Sequence, residues 1–119
     1  MNELRSFLVH TLEDMVSIPT VVPPGLNYRE FTQFTSKLLK EIGLKTKVIK
    51  VPKSLLKKHI GEHAGYPRYI VLAEFGEGKP KLHFNGHYDV VPGGRWKEAF
   101  EPHISLSLIH ISEPTRLGM

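Results

Sequence analysis

His87 and Asp89 stand two residues apart in the run Leu82-His83-Phe84-Asn85-Gly86-His87-Tyr88-Asp89-Val90-Val91-Pro92. Side chains two apart on an extended segment point the same way and lie roughly 6.5 to 7 Å apart along the chain. His87 can therefore offer a ring nitrogen to a metal ion while the Asp89 carboxylate stands beside it. Both leave the carboxyl end of an apolar run, where α/β proteins place ligand sites. Gly86 leaves room for a close approach to the backbone. The same spacing also serves a plain hydrogen-bonded pair, so the residue types alone leave a metal-ligating and a structural reading open.

Any metal must sit on His, Asp and Glu, because the chain has no cysteine and so no thiolate ligand, disulfide or cysteine nucleophile. The other histidines offer less. His10, His83 and His103 have no partner at ligand spacing, and His83 reads as a sheet-face residue beside Asn85. His59 and His63 are four apart, but Gly61 and Gly65 argue against a helix that would align them, and a solvated loop is expected.

The elements that must position the pair follow from periodicity. Leu4, Phe7, Leu8, Leu12, Met15 and Val16 recur at helical steps, predicting a first helix that ends before Pro19. The prolines at 19, 23 and 24 then enforce an extended loop. Phe31, Phe34, Leu38, Leu39 and Ile42 predict a second helix over about 28–42, with Asn27 and Glu30 as its capping pair and Gly43 as a left-handed C-terminal stop. The period changes to two over 46–51, predicting a half-buried strand closed by Pro52. Residues 53–67 read as a polar, basic connection with at most a helical turn at Leu55 and Leu56. A second strand is expected at 69–75 and a third at 81–86, joined as a hairpin by the turn residues of 76–80. Two helices followed by three strands read as an α/β layer without internal repeats.

With these elements in place, Asn85-Gly86-His87-Tyr88-Asp89-Val90-Val91-Pro92, followed by Trp96 and Phe100, resembles the first metal-binding segment of the M20 family of metallopeptidases and amidohydrolases. That family includes aminoacylases, succinyl-diaminopimelate desuccinylases, acetylornithine deacetylases and glutamate carboxypeptidases. The upstream Ser17-Ile18-Pro19-Thr20 is similar to the family's opening, as is the helix ending Glu41-Ile42-Gly43, so the resemblance covers roughly residues 4–102. One departure is Glu98-Ala99-Phe100, where the family often shows Asp-Pro-Phe after the tryptophan.

The resemblance implies the N-terminal portion of a zinc-peptidase-like catalytic domain that is incomplete in this chain. His87 would be the first ligand of a zinc, cobalt or manganese ion in a paired-metal site, and Asp89 the catalytic carboxylate that orients it. The implied reaction is hydrolysis of an amide bond in a peptide or N-acyl amino acid by a metal-activated water, with a glutamate moving the proton. The remaining ligands, that glutamate and the smaller dimerisation domain of a homodimeric parent would all lie downstream, so the chain alone is expected to be inactive.

The end of the chain reads differently. Ile104, Leu106 and Leu108 alternate with Ser105 and Ser107 as in a strand. Yet the run from Leu106 to Arg116 resembles the translation of a transposase adapter used in preparing sequencing libraries. Residues 1–105 are thus expected to be the truncated start of the catalytic domain and 106–119 a non-native tail.

Length and charge bound the rest. The 119 residues, 24% of them charged, suit one domain with a modest core. No apolar run approaches the roughly 20 residues that span a bilayer, and no basic-then-apolar leader opens the chain, which points to a cytoplasmic protein without a membrane partner. The net charge of +4 is concentrated among the lysines of 37–58. No aromatic is interleaved there to stack bases, so a solvated surface is expected rather than a nucleic-acid site. A small, non-catalytic basic binding module, with His87 and Asp89 structural, is the competing reading.

Overall fold

The computed structural model describes residues 2–104. Helix α1 (Asn2–Val16) is followed by a turn-rich loop, then α2 (Tyr28–Glu41), strand β1 (Lys45–Lys50), helix α3 (Lys53–Ile60), a 3-10 turn (Gly61–His63) and strand β2 (Tyr69–Glu74).

Helix α2 organises the fold. Gly43 adopts φ 99°, Leu44 N–H donates to the Leu39 carbonyl, and Gly43 N–H donates to the Lys40 carbonyl. This is a complete Schellman stop, which reverses the chain into β1. The N-terminus departs from expectation. Asn27 sits in the left-handed region at φ 60° and makes no capping bond; its Nδ2 donates instead to the Pro19 carbonyl at 2.9 Å. The side chain thus ties the loop to the helix start rather than satisfying the helix itself.

β1 and β2 pair antiparallel, with Lys45 opposite Glu74 and Lys50 opposite Tyr69. Tyr69, Val71 and Ala73 therefore share a sheet face with Lys50, Val48 and Thr46, and α2 packs against both strands. An open groove of about 560 Å³ between helix and sheet is lined by Arg29, Thr32, Ser36, Val48 and Tyr69, among others. On the opposite face Ile70 and Leu72 are each 49% exposed. The connection between the strands corrects the sequence reading: 53–60 forms a full helix in which Leu56 is buried, and Ala64, just past the 3-10 turn, is buried as well. His59 falls in α3 and His63 in the 3-10 turn beyond Gly61, so the two do not share one helix.

The expected third strand is also corrected. Residues 81–86 form no strand and are exposed, with Leu82 and Phe84 at 75% and 87%, so the described residues hold a two-stranded sheet and no hairpin after β2. The physical reason lies just downstream. Val90 N–H donates to the Thr20 carbonyl and Val22 N–H to the Val90 carbonyl, each at 2.9 Å. These bonds make a parallel bridge between Val21 and Val90, which commits the segment to the proline loop.

The buried set is small: Tyr28, Leu56 and Ala64, with Gly25 and the hydroxyl residues Thr20, Thr32 and Ser36. Helix α1 buries none of its residues, and its apolar stripe of Leu4, Phe7, Leu8, Leu12 and Val16 faces outward. None of the helices described is long and apolar enough to cross a membrane. The expectations for residues 105–119 lie outside the described residues.

Candidate metal-ligand site

The bridge at Val90 fixes the backbone of the segment that carries the pair, and Tyr88 fixes its side-chain order. Between His87 and Asp89, Tyr88 points inward. Its ring meets the edge of Tyr28 at 5.0 Å between centroids and 89° between planes, and stacks on Phe31 at 4.9 Å and 22°. Its hydroxyl donates to the Tyr69 carbonyl at 2.6 Å, and its own carbonyl accepts from the buried Thr20 hydroxyl. The start of β2, the start of α2 and the proline loop therefore all grip one residue. Alternation then sends its two neighbours to the opposite, solvent side.

There His87 Nδ1 lies 2.8 Å from Asp89 Oδ1 and 3.3 Å from the Asp89 carbonyl. Both oxygens accept, so in the neutral ring this contact favours the tautomer with its proton on Nδ1, which leaves the Nε2 lone pair free. The side chains are 83% and 47% exposed. An imidazole whose Nδ1–H is held by a carboxylate and whose Nε2 faces solvent is the arrangement of a metal-ligating histidine with its orienting partner.

Burial pushes the hydroxyl pKa of both Tyr28 and Tyr88 upward, and the nearby Asp89 charge adds to that rise in each. The Arg68 charge opposes it. Both phenols thus hold their protons in the packed cluster.

The donor set fits one ligand and one orienting carboxylate. A catalytic zinc site needs three protein ligands, and among the described residues no group of three or more His, Cys, Asp or Glu side chains is arranged to hold an ion. No catalytic step follows from these residues alone. His10, expected to have no partner, pairs with Glu13 one turn on at 3.3 Å, which corrects that expectation, and His63 contacts Glu62 at 3.5 Å; neither joins His87.

Sequence reasoning found His87 and Asp89 but missed the residues that hold them, namely Thr20, Tyr28, Phe31, Arg68 and Tyr88. The available signal was the aromatic between two polar residues on an extended segment, which has to point into the fold if the other two point out. The chain was compared with protein-family models, curated proteins and solved structures, and none of the three comparisons gives a match.

Proposed function

We propose that this chain is the opening segment of the catalytic domain of an M20-type metal-dependent hydrolase that cleaves a C–N amide bond in a peptide or N-acyl amino acid. His87 is one ligand of a zinc, cobalt or manganese ion, and Asp89 holds its ring. The observation that carries the reading is the 2.8 Å contact from His87 Nδ1 to Asp89 Oδ1, which leaves Nε2 free. When bound, the metal supplies a water of lowered pKa and a charge that steadies the polarised amide oxygen. The chain's own part is to present Nε2 in a fixed direction, because Asp89 selects the tautomer and Tyr88 fixes the backbone.

The remaining ligands and the proton-moving glutamate belong to a longer parent, cytoplasmic and dimeric in this reading, and residues 106–119 are foreign to it. A purely structural role for the pair is disfavoured by its exposure, since the packing at this point is supplied by Tyr88. The test is the source gene beyond the Ser105 codon. A continuation encoding Gly-Arg-Gly-x-x-Asp and then Glu-Glu supports the enzyme. A stop codon, or a continuation without acidic ligand candidates, overturns it.

A further inference from the structure

Arg68, immediately before β2, holds one ring of the site's aromatic anchor through its side chain, and its neighbour Tyr69 holds the other through its carbonyl. Its guanidinium carbon lies 4.8 Å from the centroid of the Tyr28 ring, and its Nη2 donates to the Pro24 carbonyl. Its own carbonyl accepts from Val51 N–H at 2.9 Å, continuing the β1–β2 ladder by one residue. The next carbonyl, that of Tyr69, takes the Tyr88 hydroxyl. One dipeptide thus fixes Tyr28 through a side chain and Tyr88 through its backbone, and the two rings meet edge to face.

The loop is built around the guanidinium. Gly25 is buried, sits at φ +119°, and a Cβ there would collide with Arg68 Nη1. Any side chain at 25 would evict the arginine and strain the backbone together. A planar cation over a ring face that also donates sideways to a carbonyl is arginine geometry, which the tetrahedral ammonium of lysine does not reproduce.

We propose that Arg68 is a positioning residue for the His87–Asp89 pair, acting through Tyr28 and Tyr88. The proposal rests on the reading of that pair as a ligand unit. The guanidinium keeps the Tyr28 ring in place, and Tyr28 walls the pocket of Tyr88. A Tyr88 side chain free to leave that pocket would turn its two neighbours out of register, parting Nδ1 from Oδ1.

The experiment uses the 119-residue chain labelled with ¹⁵N-histidine, at a pH where the imidazoles are neutral. The His87 signals are assigned by their loss in His87→Gln, and the ratio of Nδ1–H to Nε2–H tautomer is read for each variant. The wild type is expected to be mainly Nδ1–H. Arg68→Met, Arg68→Lys and Gly25→Ala are each expected to shift the ratio toward Nε2–H by about threefold or more, the scale of one lost hydrogen bond. The Arg68→Met, Gly25→Ala double variant should shift it by less than the sum of the two single shifts, because both substitutions displace the same guanidinium. Leu56→Ala removes a buried side chain of α3 and controls for general loosening; it should leave the ratio unchanged.

An unshifted ratio in Arg68→Met and Gly25→Ala, with the amide signals of α2, β1 and β2 retained, overturns the proposal. So does an equal shift in Leu56→Ala. A wild-type ring that is mainly Nε2–H removes the pair itself, and with it both this proposal and the ligand reading. A ratio that depends on Arg68, together with a source gene lacking the acidic ligands, keeps the positioning role and discards the hydrolase.

Discussion

Tyr88→Phe deletes one oxygen and keeps both ring contacts. In the wild type that oxygen donates to the Tyr69 carbonyl at 2.6 Å. Removing it forfeits one hydrogen bond, a cost of about 1 kcal/mol because the half-buried phenol leaves water some access to the freed carbonyl. Tyr88→Leu also gives up the edge contact with Tyr28 at 5.0 Å and the stack on Phe31 at 4.9 Å. Aromatic pairs at such separations contribute about 0.5–1.5 kcal/mol each, so the total loss is expected at about 2–4 kcal/mol. The assay is urea unfolding followed by far-UV circular dichroism. Hydrogen exchange at Val90 N–H, which donates to the Thr20 carbonyl, gives a local readout beside it. Exchange there should quicken in the same order, wild type, Phe, Leu. A Leu variant no less stable than the Phe variant would refute the claim that the two rings hold this segment. A Phe variant within about 0.3 kcal/mol of wild type would refute the role of the hydroxyl.

Both buried phenols titrate above the usual tyrosine value of 10.0, so the folded chain binds those protons more tightly than the unfolded one. Their stabilising contribution is whole below pH 10.0 and is lost as pH rises through the higher folded values; the urea midpoint should fall there, and less steeply in Tyr88→Phe. On α1, Leu8 and Leu12 are 57% and 61% exposed, so Leu8→Glu and Leu12→Glu should change stability by no more than about 0.5 kcal/mol while reducing dye binding and aggregation. The purified chain should hydrolyse no N-acyl amino acid with zinc present, since one candidate ligand does not make a catalytic site; zinc-dependent hydrolysis lost in His87→Ala would contradict this. Deleting residues 106–119 should leave the circular dichroism spectrum of the remainder unchanged, and a loss of strand signal would make the tail native.

Periodicity made most of the fold legible wherever one face of an element packs. The stripe of α2, its glycine stop and the alternation of β1 are local patterns, and each reappears within a residue or two in the structure. Periodicity also announced α1, but a stripe states only that a face wants cover, and α1 buries nothing among the described residues. The 81–86 segment shows the same limit for strands. Its composition suits a sheet, yet pairing requires an edge within reach, and the bonds of Val90 to Thr20 and Val22 commit the chain elsewhere. A basic, polar sequence around Leu55 and Leu56 predicts at most a turn, whereas the structure forms the full helix α3 with Leu56 buried.

The site was legible as a pair and not as a setting, because His-x-Asp is a local pattern whereas its support comes from residues 19 to 68 positions away in the chain. A histidine and a carboxylate two apart on an extended segment can meet through their side-chain rotamers, as they do here at 2.8 Å, but an exposed pair whose own attraction contributes about 0–1 kcal/mol is too weak to hold the segment in place. The stronger interactions lie underneath: two ring contacts and a hydroxyl bond on Tyr88, the buried Thr20 hydroxyl on its carbonyl, and the bridge at Val90. The geometry of the pair is thus set from below by an aromatic residue that does no chemistry. Substitutions at Tyr88 should therefore disturb the His87–Asp89 contact more than substitutions at Asp89 disturb the packing of Tyr88. Asp89→Asn, read by Val90 exchange, should leave the anchor intact, and accelerated exchange in that variant would show that the surface pair organises the segment instead.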